Sequence, residues 1–541
     1  MKKIANFFYY PFKKNKRTKL RRVMRGYRLL VSSGQADRIS LLKNDLTTHN
    51  LNLIEDYFSS HILGAGVQQA ELILRQYLLL RIGYLNLNGA LLESLDKKNG
   101  IIFPLPKIWR QIITNHGFKV SSVWSAALWW FYIFGALIFG IYQIANVIFF
   151  EILSSFIPSS KQKPYIYFAG LTKQNFPATS QEQSGYDILT WYLNWPGRQC
   201  DLREIRHSVL EVRHRKIQDL DIVFQRGPLP NSMKIIGLIK YVKWAIGAIV
   251  IAAFDCLRGR WWHALLLNQA ALSGKARYSK KENLAAEYLF HNSGWIYRPL
   301  WTYDAEKKGS TITLYFYSTN CEPFQTSDSY KSMYFGYQSM TWSRYLVWDE
   351  FQANFVRRAV GDAAVTLVVG PIEFVGGGLV KPPKLNNSSI IIFDVTPHRS
   401  SRYSLLAPDD EFHTPDFINT YLDHVISELC KYTLPILLKS KRDIGKLSHP
   451  SYRKMVSCIS QNNKITLVDP SIPAAYLIKN SFAVISSPYT STAIIAKEMG
   501  KPSIYYDPSG LLRKGDRAAH GVLVIQGRGE LESWLRSLVN S

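Results

Sequence analysis

At 541 residues, with 47% of them apolar, the chain is long enough for two or more domains with well-filled cores. Its five cysteines (Cys200, Cys256, Cys321, Cys430, Cys458) are scattered, odd in number and without CxxC spacing. That argues for a reducing compartment and against a disulfide frame or a zinc site; no His/Cys/Asp cluster has metal-ligand spacing either, so no metal and no resident cofactor is expected. The net charge of +26 leaves two kinds of polyanionic partner open, nucleic acid and anionic membrane.

The charge is concentrated early. Met1 to Leu30 carries eleven Lys/Arg and no acid, with Phe7, Phe8, Tyr9, Tyr10 and Phe12 inside the basic run. That mixture suits an anionic lipid interface rather than a nucleic-acid motif, and it lacks the apolar core and cleavage site of a signal peptide. Residues 1–119 read as a basic helical region. From Val120 to Phe150 thirty-one residues carry no charge, more than the ~20 a helix needs to cross a bilayer; 120–157 is expected to be a hydrophobic, membrane-associated segment. A second apolar run, Ile235 to Phe254, is interrupted by Lys240 and Lys243. Lys and Arg flank both sides of the first run, and both flanks are expected on the cytoplasmic side. Three arrangements satisfy this: both runs cross as a pair, the first dips in and returns, or both lie in the interface.

An α/β region is expected over 158–370, carrying the 235–254 helix. Its strands are read at Pro164–Gly170, Ile222–Phe224, Ile312–Tyr317 and, as a buried parallel strand, Val365–Gly370, with a helix at Tyr186–Leu193. The Gly- and Pro-rich stretch Pro371–Pro383 reads as a hinge; its Gly376–Gly378 run fits neither dinucleotide nor P-loop spacing. A second α/β domain follows over 371–541. Strands at Ser389–Val395, Leu434–Lys439, Ile465–Val468, Phe482–Ile485 and around Tyr505 alternate with helices at Pro415–Tyr432, Tyr452–Gln461, Ala474–Lys479 and from Thr490. Such alternation predicts a parallel, doubly wound sheet with ligands beyond the carboxyl ends of its strands.

The densest signal is Ser481 to Gly510. A β-leaning run is followed by Ser486, Ser487, Pro488, Thr490, Ser491 and Thr492, then by a helix stopped at Gly500. Hydroxyls at a helix N-terminus are most often plain N-caps, but free N–H groups and the helix dipole also make that position an anion site suited to phosphate. Lys439, Lys441 and Arg442 follow a strand end from which they could meet the same phosphates. Asp394 and His398 end another strand and could bind donor or transfer a proton. Glu373 is placed toward the cleft, and Asp507 contacts ribose or caps a turn with Pro508.

Ser487-Pro-Tyr-Thr-Ser-Thr-Ala, with the downstream Lys501-Pro-Ser-Ile-Tyr-Tyr-Asp-Pro, resembles the signature of bacterial surface and capsular polysaccharide biosynthesis "PFTS motif" proteins, which are regarded as GT-B-like glycosyltransferases; Tyr489 stands where that signature has Phe. Pro299–Glu306, Tyr315–Asn320, Trp342, Tyr345–Asp349, Gly370–Glu373, Phe393–Val395 and Leu438–Arg442 look like the same group, and the resemblance covers roughly 164–510. It implies two Rossmann-like domains around a cleft and metal-independent transfer of a sugar from a nucleotide-sugar donor to a lipid-linked or nascent glycan. The donor phosphates would lie at Ser487, Thr490, Ser491, Thr492, Lys439, Lys441 and Arg442, with Glu373 and Asp507 nearby. The acceptor base would come from the N-terminal domain, with Asp304 and Glu306 as candidates and Asp349 behind them. Anionic inner-membrane lipid is the expected partner, nucleic acid is not, and the cytoplasmic face of the bacterial inner membrane is the expected location. A nucleotide-sugar epimerase on the same scaffold and a non-catalytic membrane or polyanion-binding scaffold are the alternative readings.

Overall fold

The computed structural model describes residues 16–35, 38–49, 51–82, 84–96, 100–156, 163–177, 186–199, 201–217, 219–231, 233–293, 297–319, 321–325, 330, 333–374, 388–397, 414–445 and 448–540. The aromatic residues of the basic N-terminus, the Gly376–Gly378 run and His398 lie outside them.

The N-terminal part is helical: α1 (Lys16–Ser32), α2 (Arg38–Thr48), α3 (Val67–Ile82), α4 (Tyr84–Leu95) and α5 (Lys107–Asn115), with a π-helical turn at Phe58–Leu63. The long apolar α6 (Ser122–Ser155) follows. Next come β1 (Tyr165–Phe168), α7 (Ile188–Asn194), β2 (Glu204–His207), β3 (His214–Ile217) and β4 (Leu220–Phe224). The crossover from β4 to β5 holds a helical hairpin, α8 (Ile235–Leu257) and α9 (Trp261–Tyr278). The domain is completed by β5 (Glu287–His291), α10 (Trp301–Lys307), β6 (Thr311–Tyr315), α11 (Phe335–Gln338), β7 (Arg344–Val347), α12 (Glu350–Val360) and β8 (Thr366–Val368).

These strands form an eight-stranded sheet in the order β3-β4-β2-β1-β5-β6-β7-β8, parallel except for the antiparallel β3–β4 edge. The chain works outward from β1 in one direction and then in the other. Its topological switch point therefore lies between β1 and β5, where the carboxyl ends of two neighbouring strands open a crevice.

The C-terminal domain runs β9 (Ile390–Phe393), α13 (Pro415–Leu429), β10 (Ile436–Lys439), α14 (Pro450–Ile459), β11 (Ile465–Val468), α15 (Ala474–Lys479), β12 (Ala483–Ser486), α16 (Ser491–Glu498), β13 (Ser503–Asp507), β14 (Leu523–Gln526) and α17 (Gly527–Asn540). Its six strands, all parallel, take the order β11-β10-β9-β12-β13-β14, the Rossmann arrangement, with the switch point between β9 and β12. β9 and β12 read as unbroken apolar runs because helices cover both faces of the sheet, and every residue of both strands is buried. Local chemistry starts the helices. Thr414 caps α13 ahead of Pro415, and Asp187 and Asp349 cap α7 and α12 through their carboxylates.

The two domains face each other. One apolar cluster includes Ile166, Tyr315 and Ile372 from the first together with Ala493, Ile494 and Tyr505 from the second. This pair of Rossmann-like domains around a shared cleft is the GT-B arrangement.

The segment expected as a buried strand at Val365–Gly370 is instead β8, an exposed sheet edge with Val368 49% accessible. It pairs in parallel with β7 as expected, but Val365, Leu367 and Val368 face outward and Val369 alone of its valines packs against the core, so composition misstated its burial. Among the described residues two helices, α6 and α8, are long and apolar enough to cross a membrane. Only a narrow stripe of α6 (Ser125, Trp129, Ile133, Gly140, Ile144, Val147, Glu151) is buried. At Gly140 a Cβ would sit 2.7 Å from Leu267, so the missing side chain is what lets α6 approach α9 so closely.

Candidate active site between two switch points

The β12–α16 connection is the centre of the site. β12 places Ser486 and Ser487 at its carboxyl end, both fully buried, and Ser487 N–H donates to the Phe393 carbonyl of neighbouring β9 at 2.9 Å. Tyr489 then turns the chain with φ of 56°, a left-handed conformation that costs a non-glycine residue roughly 1–2 kcal/mol. The turn is held by its ring, stacked on Phe324 of the first domain at 5.2 Å, and by its hydroxyl, which donates to Asp516 at 3.2 Å.

Thr490 occupies the N-cap position of α16 but makes no side-chain cap. Its hydroxyl donates backward to the Ser487 carbonyl at 2.8 Å, and Thr492 pairs with Ser486 at 2.8 Å. The hydroxyls therefore shape the loop rather than close the helix end. Ser487 Oγ, fully buried, is among the side-chain atoms with no hydrogen-bond partner among the described residues. The helix start thus combines uncapped N–H groups, a positive dipole end and an unspent hydroxyl.

Ser491 reaches across the cleft: its hydroxyl lies 3.3 Å from Thr319 Oγ1, just past the end of β6. The basic loop after β10 sits at the same edge of the second sheet, two strand spacings, about 10 Å, from β12. Lys441 and Arg442 are exposed there, with Lys441 N–H 3.4 Å from Asp394 Oδ1 and Arg442 N–H 3.2 Å from Thr396 Oγ1. Long cationic side chains on such a loop can extend over the α16 N-terminus.

Other expected site residues are placed differently. Lys439 is buried and its ammonium donates to the Pro470 carbonyl at 3.0 Å, on the β11 side; burial pushes its pKa down. Asp394 lies beneath the basic loop, accepting from Tyr452 at 2.5 Å and from Ser440 at 3.4 Å, and burial raises its carboxyl to about 6. It positions the loop. Asp507 is fully buried and spent on its own turn, accepting from Ser509 N–H and Leu512 N–H, both at 2.8 Å.

The two carboxylates expected to serve the acceptor sit at the wrong end of the sheet. α10 descends from the carboxyl end of β5 toward the amino end of β6, so Asp304 and Glu306 lie away from the cleft. Asp304 is buried against α9, bonded to Ser273 and paired with Arg277 at 3.2 Å. Glu306 is held by Arg298 and Ser343. Asp349 caps α12 and pairs with His520 at 2.8 Å. The sequence window around Trp301 carried no sign of helix direction, and direction decided the outcome.

Glu373 faces an environment hostile to phosphate. The Pro371–Phe374 segment is pinned at the first switch point, where Asn175 Nδ2 donates to the Phe374 carbonyl at 2.9 Å and Phe374 stacks on Tyr317 at 4.4 Å. Burial, and then the like charge of Asp187, raise the Glu373 carboxyl to about 7, with Lys479 of α15 opposing. Tyr186 and Tyr476 meet edge to face beside it, 6.0 Å between centroids. Behind Phe374 lies a residue the sequence analysis passed over. His291 ends β5, its Nε2 lies 3.3 Å from the Gly170 carbonyl at the end of β1, and its Nδ1 has no partner among the described residues. Burial lowers its pKa, against the opposing hydrogen bond to Gly170. Only the register of β1 against β5 brings it to the crevice; a lone His in EYLFH gave no signal.

With the fold and this loop in place, the class of protein is defined: a chain with a glycosyltransferase-like fold whose second Rossmann domain carries an anion-ready helix start. The sequence matches the family described as polysaccharide biosynthesis PFTS motif protein over residues 244–535, more than half of its length, and the chain belongs to that family. Among solved structures it is similar to a variant of the wall teichoic acid polymerase TagF (12% identity, 75% of this chain and 89% of that chain, TM-score 0.37). Similar too are sucrose-phosphate synthase from Thermosynechococcus elongatus (10%, 70% and 90%, 0.35) and UDP-GlcNAc 2-epimerase from Methanocaldococcus jannaschii (10%, 70% and 92%, 0.33). No curated protein matches the sequence.

Proposed function

We propose that this chain is a membrane-associated glycosyltransferase of the cytoplasmic face of the inner membrane, moving a sugar from a nucleotide-sugar donor to a lipid-linked or nascent surface polysaccharide. The observation that carries the reading is the uncapped start of α16, with Ser487 Oγ unspent, at the switch point of the second sheet. The donor diphosphate lies there, its developing charge stabilised by first-turn N–H groups and by Lys441 and Arg442. The acceptor enters from the first domain, and Glu373 is the group that takes the proton from its hydroxyl. A carboxyl near pH 7 in a cleft is matched to that task, whereas an anionic phosphate ligand is not. This role replaces the donor contact expected from its position in the sequence.

A thermal-shift screen of the detergent-solubilised protein against UDP-, GDP-, CMP- and dTDP-sugars tests the reading. Binding to the native state raises the melting temperature by mass action. The expected result is a shift with one nucleotide class, absent in a folded Ser487→Ala, Lys441→Ala, Arg442→Ala variant. No shift with any nucleotide, or an undiminished shift in the variant, overturns the phosphate site.

A further inference from the structure

α6 and α8 are adjacent, both pack on α9, and both turn an apolar side outward along their whole length. On α6 Trp124, Phe131 and Ile138 are 64–68% exposed, and on α8 Ile239, Ile246 and Val250 are 61–63% exposed. Patches of this extent mark a surface meant to be covered. The charges on the two helices say by what. Their only acids, Glu151 and Asp255, point inward and are buried, paired with Lys275 at 3.2 Å and Arg260 at 3.4 Å. The cations Lys240 and Lys243 on α8, and Lys119, Arg226, Lys234 and Arg258 at the margins, are exposed. Arg226 and Arg258 lie over the rings of Phe150 and Phe254, the posture of a stem along an apolar rim with its charge at the edge. An apolar face ringed by cations and cleared of acids fits an anionic lipid surface.

The packing of α9 decides how the helices meet that surface. α6 and α9 run parallel, in contact at Trp129–Trp261 (5.0 Å), Gly140–Leu267 and Glu151–Lys275. On another side α9 is followed by the 55–64 segment: Phe58 stacks on His263 at 3.6 Å and Ser273 Oγ donates to the Leu63 carbonyl at 3.0 Å. That segment exposes Asp56, Ser60 and His61 to water. Arg277 then fastens α9 to Asp304 in the catalytic domain. If α6 stood across a bilayer, α9 would stand with it, and Asp56, Ser60, His61 and the α9–α10 ion pair would be drawn to hydrocarbon depth, where polar and ionised groups are strongly disfavoured.

We infer that α6 and α8 dock side-on into a single leaflet of an anionic bilayer, with neither helix spanning it. This rests on the membrane attachment in the reading above and not on its chemistry. It resolves the conflict of basic flanks, since both ends of α6 then stay on one side.

Two measurements on the full chain test it. In flotation with phosphatidylcholine vesicles containing a minority of phosphatidylglycerol, the protein should float. Phe131→Glu combined with Ile246→Glu, both at exposed positions, should cut the bound fraction at least about tenfold without altering the circular dichroism. Separately, Trp124→Cys, Ile138→Cys and Phe156→Cys are reacted with a membrane-impermeant maleimide in inverted vesicles and in spheroplasts, scored above the wild-type background. The expected result is reaction of the two end positions from the cytoplasmic face only, with the central position protected until detergent is added. Reaction of the two ends from opposite faces overturns the proposal by showing a span, and failure of the wild type to float overturns it by showing no docking. Nucleotide binding is read independently in detergent, so loss of the phosphate site and loss of the docking face are distinguishable.

Discussion

The hydroxyls of Thr319 and Ser491 lie 3.3 Å apart and join the carboxyl end of β6 to the first residue of α16. Further polar ties between the domains are Glu322–Arg517 at 2.7 Å, Asp349–His520 at 2.8 Å and Gln325 N–H donating to Asp516 at 2.7 Å. The start of α16 and the chain that follows it are thus held against the first domain.

The Glu322 tie is the most exposed to perturbation. Its carboxylate, 3% accessible, sits between Arg358 and Arg517, and burial raises its pKa despite both cations. Arg517→Ala leaves a buried carboxylate with one partner instead of two. We expect a loss of about 1–3 kcal/mol in urea unfolding. An unchanged midpoint would show that Arg358 alone compensates the charge.

Glu373→Gln should lower kcat/KM by about 10²–10⁴ while leaving nucleotide thermal shifts intact, because the residue is assigned to the acceptor hydroxyl. The sign of the pH dependence follows from its protonation. Only the carboxylate accepts a proton, so wild-type kcat/KM should rise through about pH 7, and the residual activity of the variant should lose that limb. A limb that persists in the variant would assign it to another group, with His291 the next to replace.

Asp394 makes a prediction about stability. Its folded carboxyl titrates near 6, above the unfolded value of about 4, so the folded state holds the proton more tightly. Stability contributed by that proton is present at low pH and falls as pH rises from about 4 to 6, by up to roughly 3 kcal/mol. Asp394→Asn keeps an acceptor for Tyr452 and cannot titrate. Its unfolding free energy should be flatter over that window than that of the parent protein, a difference in which the other raised carboxyls, Glu322 and Glu373, cancel.

The alternation of strand and helix after residue 388 was legible because both faces of that sheet are covered, and its strands are continuous apolar runs bounded by turn residues. In the first domain the same logic failed for β5 and β7. β5 carries Glu287, fully buried, which takes hydrogen bonds from Tyr192 and Thr313 and pairs with Arg344 of β7. A buried charge network looks like surface in a single sequence. The site divides along the same line. The hydroxyl loop was readable because local chain order assembles it, whereas His291, and the retreat of Asp304 and Glu306 from the cleft, depend on strand register and helix direction.

The tie between α6 and α9 offers a last test, because it sets the platform for the docking face. Glu151 is fully buried, accepts from Met233 N–H at 2.8 Å and pairs with Lys275, itself buried. Lys275→Met removes the cation and leaves a carboxylate enclosed by apolar helix surface, a change that typically costs about 3–5 kcal/mol. Adding Glu151→Gln removes the stranded charge yet keeps an acceptor for Met233, so the double variant should recover most of the loss in detergent. A double variant as unstable as the single one would mean that the lysine stem, through its packing, and not the charge pair, is what joins the two helices.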